Sequence, residues 1–439
     1  MSLSDGDRPS PSDPPRPSGP SEPSAAVSRR RLLGAIGAGA AGTALGVAAG
    51  FAAGSARSET TGTDPAASVP FWGAHQAGIA TAVQDRLDLA TFDVVTDRAA
   101  DLRDLLRAWT DAAAAMCQGE PAGPPASNAL LPPTDTGEAF GLRPANLTIT
   151  FGFGPSLFSH HGEDRFRIAG RRPAALIELP AFAGDELDPA RSGGDLVAQA
   201  CSDDPQVAFH AVRNLGRIGR GVVVPRWSQM GFGRTSSTTR DQVTPRNLQG
   251  FKDGTNNLRG DDAGAMATNV WVGDEGPAWM RGGSYMVTRR IRMLIEVWDR
   301  ASLDDQERTI GRQKETGAPL GRDAEFDAVP LAARGPDGTP LIPVDAHVRL
   351  AAPATNRGAG LLRRGYSFTD GIDPIPGQLD AGLFFICFQR DPRSAFVPVQ
   401  RQLAAADALN EYIAHVGSGI FAVPPGVQPG GYVGQDLFA

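Results

Sequence analysis

Leu383-Phe384-Phe385-Ile386-Cys387-Phe388 is an apolar strand, followed by Asp391-Pro392 and then by Ala395, Phe396 and Val399 at helical spacing. Asp195-Leu196-Val197-Ala198-Gln199-Ala200-Cys201 reads the same way. Asp203-Asp204-Pro205 follows it, then apolar Val207, Ala208, Phe209, Val212 and Leu215. At one constant offset, Asp204, Pro205, Ala208, Phe209 and Val212 fall on Asp391, Pro392, Ala395, Phe396 and Val399. Acid before proline is a helix start: the carboxylate caps free N–H groups, and proline fills the first turn without losing a bond.

A strand-then-helix unit that occurs twice implies two related halves, each a sheet with helices packed on one face. Leu147-Thr148-Ile149-Thr150-Phe151 adds an alternating strand that ends in the turn Gly152 to Pro155. The segments between do not alternate strand with helix, which argues against a doubly wound parallel sheet. The expected class is α+β, as two ferredoxin-like halves with antiparallel sheets. The boundary falls near residues 225–250, where Arg226 to Arg246 is polar and rich in Ser, Thr and Gly. The domains are accordingly drawn at 57–240 and 241–439.

The chain's 439 residues suffice for two ordinary cores, and its 42 basic against 49 acidic residues give no global positive field for nucleic acid. Three cysteines, Cys117, Cys201 and Cys387, are too few and too dispersed for a disulfide scaffold or a cysteine zinc site. Six histidines limit any imidazole chemistry to His75, His160, His161, His210, His347 and His415.

Residues 1–27 are rich in Pro, Ser and Asp, a composition that predicts disorder. Ser28-Arg29-Arg30-Arg31-Leu32-Leu33 comes next, then a charge-free run from Gly34 to Ala56 that ends in small residues. Residues 1–56 resemble a twin-arginine export signal, and an uncleaved anchor is the alternative. The resemblance implies engagement of the twin-arginine translocation machinery. It also implies a periplasmic, cell-envelope or extracellular location.

Gly250-Phe251-Lys252-Asp253-Gly254-Thr255-Asn256-Asn257 is the most distinctive local feature. Glycines around an acid let backbone approach a ligand, and they equally make an ordinary turn. Asp345-Ala346-His347-Val348-Arg349-Leu350 and Leu361-Leu362-Arg363-Arg364-Gly365-Tyr366-Ser367 are unspecific singly. Taken in order with Ala278 to Met293, Glu296 to Arg300 and Ile310 to Gly321, they closely resemble the dye-decolourising peroxidases. The match is nearest to the exported branch that includes the deferrochelatase/peroxidases. The resemblance runs from about Val69 to the C-terminus.

It implies one haem b per chain in the C-terminal half, hydrogen peroxide as oxidant, and a dye, phenol or other one-electron donor. A haem-binding, iron-releasing role is the alternative, and the oligomeric state is open. By the resemblance, His347 ligates the iron as the proximal ligand, and Asp253 and Arg363 (Arg364 less readily) are the catalytic pair on the opposite face. Gly254, Thr255 and Asn256 line the haem edge, as do Ala352, Pro353 and Ala354. Leu383 and Phe385 form the apolar distal wall. Ala352-Pro353-Ala354 departs from the Asn-Pro-Arg common in the family, so a polar haem contact is either missing or supplied elsewhere, as by Asn356 or Arg357. Asp391 is read first as a helix cap and second as the carboxylate behind the proximal imidazole. Trp298 and Tyr366 are core aromatics before they are electron relays, and His75, His160 and His161 lack a metal-ligand spacing.

Overall fold

The computed structural model describes residues 67–374 and 377–439, so the expected export signal of residues 1–56 lies outside the described residues. No described helix is long and apolar enough to cross a membrane.

The first half runs β1 (Arg86–Val94), α1 (Ala99–Cys117), β2 (Thr148–Phe153), β3 (Leu196–Ser202), α2 (Pro205–Ile218) and β4 (Val223–Arg234). The second runs β5 (Ser284–Met293), α3 (Leu303–Ile310), β6 (Leu362–Arg363), β7 (Tyr366–Ile372), β8 (Leu379–Gln389), α4 (Phe396–Ala406) and β9 (Ile413–Val423). Strand neighbours are β4-β1-β3-β2 in one half and β9-β5-β8-β7 in the other. Both sheets therefore place the fourth strand beside the first, then the third, then the second, and the pairings are antiparallel. This is the ferredoxin-like order in each half, as the repeated unit predicts.

The edges of the two sheets meet. Phe153 of β2 pairs with Ala422 of β9, and Phe232 and Arg234 of β4 pair with Ser367 and Tyr366 of β7. Leu87, Leu89, Val197 and Cys201 from the first sheet pack with Met286, Tyr366, Phe384, Ile386 and Phe388 from the second. One core thus serves both sheets. Arg364, with no exposed surface, reinforces it by donating to the carbonyls of Thr81 (2.5 Å) and Ala82 (3.4 Å) and to Gln84 Oε1. Trp298 and Tyr366 are almost fully buried, so packing is their job. The three cysteines are free and buried.

The two helix starts differ in detail. Asp204 caps α2 by accepting from Gln206 N (2.7 Å) and Val207 N (3.2 Å). Asp391 accepts from Arg393 N (2.8 Å) and pairs with the Arg393 guanidinium at 2.6 Å, while α4 begins later, at Phe396, without a side-chain cap. Asp391 caps an entry turn rather than the helix itself.

On β1, Asp88 shares the helix-facing side with Ala90 and Phe92, is 4% exposed, and finds no hydrogen-bond donor among the described residues. Burial raises its carboxyl to about 7 from 3.8. The folded chain therefore holds a proton that the unfolded chain has already released, and stability is lost as pH rises between those values. Asp88→Asn is expected to stabilise the protein at pH 8 by up to about 4 kcal/mol. In urea unfolding followed against pH, the gain should shrink toward zero near pH 4.

Candidate active site

The segment carrying Asp253 is held from several directions. Gly250 N donates to Asn247 O (3.0 Å), Asn247 N donates to Phe251 O (3.0 Å), and Asp253 N donates to Pro245 O (2.9 Å). Buried Phe251 stacks edge-on against Trp298, whose indole N–H donates to Gln249 O at 3.1 Å. Gly254 takes φ +96°, and a Cβ there would lie 3.0 Å from Ser236 Cα. Only glycine fits that approach. Glu325 fastens the flanks by accepting from Lys252 Nζ and from Thr255 Oγ1 (3.0 Å).

Arg363 arrives on the two-residue strand β6, opposite Cys387 of β8. Its Nη1 donates to Asp253 Oδ1 at 2.6 Å. Asn247 Nδ2 approaches the other oxygen, Oδ2, at 3.3 Å. The neighbouring Arg364 goes to the core between the sheets, which makes Arg363 the arginine that meets the acid. Directly paired residues share a face, and alternate residues of a strand share it too, so Arg363, Cys387, Phe385 and Leu383 lie on one side of β8. Burial pushes the Cys387 thiol up to about 12, which keeps a reactive thiolate off this wall.

His347 begins a single helical turn, His347–Leu350. Gly311 closes α3 at φ +88°, with space for no side chain: a Cβ would come 2.5 Å from Val348 Cγ1. Arg349 ties the turn down by donating to the carbonyls of Leu331, Ile342 and Pro343. His347 Nδ1 contacts Asp407 Oδ2 at 2.6 Å, and no described group takes Nε2. Ala408 N donates to Asp345 O (3.0 Å), which locks the two segments together beside that contact. Burial disfavours a charged His347, but Asp407 outweighs it by charge and hydrogen bond, and the imidazole titrates above its ordinary value. Asp253 and Arg363 lie close enough to act on the same ring electrostatically. The side chain is 36% exposed yet desolvated, as expected for a ring that opens onto a recess.

Other expected positions divide. Leu383 and Phe385 are partly exposed in mid-strand, whereas Phe384 and Ile386 are buried. Thr255 is buried and bonded to Glu325, Gly254 is packed on backbone, and Asn256 is exposed. Ala352 is half-buried; Pro353 and Ala354 are exposed. Asn356 is spent on the carbonyls of Leu350 (2.6 Å) and Ala352 (2.9 Å), so its amide is not available as a haem contact; Arg357 is exposed. Asp391 is not the carboxylate behind His347, because it turns back on its own Arg393. Asp407 takes that place, sixty residues after His347, where no local motif announced it. Asn257 was also missed as a site residue, although it stands inside the quoted Gly250 segment. Among the described residues, no group of three His, Cys, Asp or Glu forms a metal cluster.

An imidazole with one nitrogen oriented by a carboxylate and the other open, an acid–guanidinium pair, and a half-bare apolar strand face fit the donor set of an iron porphyrin. Comparison with known proteins agrees. Residues 76–233 match the N-terminal model of the Dyp-type peroxidases, and residues 244–428 match the C-terminal one. The chain belongs to the Dyp-type peroxidases.

It is 40% identical over 407 residues to a deferrochelatase of Escherichia coli K12, covering 91% of this chain and 94% of that protein. It is 45% identical over 340 residues to a dye-decolorizing peroxidase of Thermobifida fusca, covering 76% and 74%. The solved structure of ferric DtpA from Streptomyces lividans superposes with a TM-score of 0.77 at 42% identity, covering 85% of this chain and 98% of that one. As a Dyp-type peroxidase, the protein is a haem enzyme that uses hydrogen peroxide and an electron donor.

Partners that orient a ligating histidine typically contribute 10–100-fold to affinity or activity. With His347 read as the iron ligand, Asp407→Asn is expected to weaken haem retention about 10-fold or more in transfer to apomyoglobin. His347→Ala should lose haem or its normal Soret band altogether.

Proposed function

We propose that Asp253 and Arg363 form the peroxide-handling side of the site, and that His347, steadied by Asp407, would hold the haem iron from the other. The observation that carries this reading is the 2.6 Å contact between Arg363 Nη1 and Asp253 Oδ1, in electrostatic reach of His347. Haem, when bound, accepts the two oxidising equivalents of peroxide and releases them to donors one electron at a time. Asp253 Oδ2, with only the long contact from Asn247, takes the proton from one peroxide oxygen and delivers it to the oxygen that departs as water. Arg363 offsets the negative charge that grows on that oxygen as the O–O bond breaks. Leu383 and Phe385 keep bulk water off the reacting atoms. Over a full cycle, two electrons from two donors and two protons convert one peroxide into two waters.

Stopped-flow measurement of the reaction with peroxide tests the roles. Asp253→Ala should slow it by about 10²–10⁴-fold, and Arg363→Ala by about 10²–10³-fold. Unchanged rates in both variants would remove the pair from the mechanism. The relatives named deferrochelatase favour iron release from haem as the second reading. Protoporphyrin accumulating from intact haem without peroxide would move the assignment there.

We further propose export by the twin-arginine route, supported by Arg29-Arg30-Arg31 before the charge-free run to Ala56. Replacing the three arginines with lysine should retain the protein in the cytoplasm on fractionation; undiminished export would refute the route.

A further inference from the structure

Asn257 carries no charge, touches neither Asp253 nor His347 in any described contact, and is 7% exposed. Its amide is nevertheless fully engaged. Nδ2 donates to Arg363 O (2.8 Å) and Ser237 O (3.1 Å), and Oδ1 accepts from Arg363 N (2.8 Å). Arg363 pairs on its other edge with Cys387 of β8. One side-chain amide thus satisfies both backbone groups of Arg363, as a neighbouring strand would. β6 is only two residues long, so few ladder bonds fix its position.

We infer that Asn257 is a positioning residue that sets the Arg363 guanidinium against the Asp253 carboxylate. The inference rests on the peroxide-side reading of Arg363 given above. Asn257 stands four residues after Asp253, and the chain between them is braced: Gly254 packs on Ser236 and Ser237, and Asn257 N donates to Gly254 O at 2.9 Å. Any displacement of the acid's segment is therefore transmitted to the backbone of the arginine. The pair moves as one body or not at all. A short charge-assisted contact depends steeply on geometry, so a clamp on the backbone of one partner controls the alignment of both.

The test uses haem-loaded protein with Asn257→Ser and Asn257→Asp. Serine is too short to span both backbone groups; aspartate keeps the volume and the acceptor for Arg363 N but loses the donors. Both variants should retain the Soret band and haem content. Both should lose about 10-fold or more in the bimolecular reaction with peroxide, with the peroxide KM raised and the donor KM unchanged. Inorganic fluoride binding to the ferric protein, titrated by absorbance, should weaken by a similar factor, because an anion there feels the guanidinium directly. In an Arg363→Ala background, Asn257→Ser should change neither readout further.

Losses that add in that background would overturn the inference, as would wild-type peroxide and fluoride behaviour in the single variants. Failure of both variants to load haem would also overturn it, since the residue would then serve the fold at large. If Arg363→Ala itself leaves the peroxide reaction intact, the underlying reading of Arg363 fails instead.

Discussion

An antiparallel sheet whose first strand is central and whose second lies at an edge obliges the chain to cross one face of the sheet between them. In the first half that crossing is made by α1 on the way from β1 to β2. In the second half it is a long irregular excursion between β5 and β7, with α3 as its one substantial helix besides short turns. His347 lies within this excursion, and the Gly250 segment, which precedes β5, is fastened to it through Glu325 and Arg246. An excursion that does not pack as a regular helix leaves part of the sheet face bare, which is why Leu383 and Phe385 keep exposed surface in mid-strand. The topology supplies the recess, and the irregular chain sets His347 beside it.

Rigidity comes from hydrogen bonds more than from regular structure. The excursion has few ladders of its own, so backbone carbonyls are gathered by arginines. Arg349 takes three, and Arg246 takes those of Gly250, Lys314 and Glu315. A guanidinium with five N–H donors suits this use, since one side chain fastens several segments at once. Carboxylates do the matching work for donors: Glu325 holds Lys252 and Thr255, and Asp407 holds the imidazole.

How far the sequence reveals this follows the range of each interaction. β3, β8 and α2 are legible because their apolar spacing and the Asp204-Pro205 start are local signals. Asp253, Arg363 and His347 were singled out through ordered motifs, and the structure brings the first two into contact within reach of the third. The carboxylate behind His347 could be anticipated as a chemical need but not assigned. Asp391 satisfied the need on paper, while Asp407 satisfies it in space, because the end of α4 and not its beginning meets the His347 turn. Gly254-Thr255-Asn256 were read as a cofactor edge; Thr255 is buried against Glu325, and Asn256 is exposed. Which side of a loop faces inward is decided by partners far away in the chain, and no spacing rule encodes it.

The adjacent arginines of the Leu361 segment have one more implication. Arg363 turns to the acid while Arg364 plugs into carbonyls of Thr81 and Ala82, which precede the first strand of the other half. Two neighbouring side chains of one short segment thus carry separate duties: one joins the halves of the molecule, and the other meets the acid across the recess.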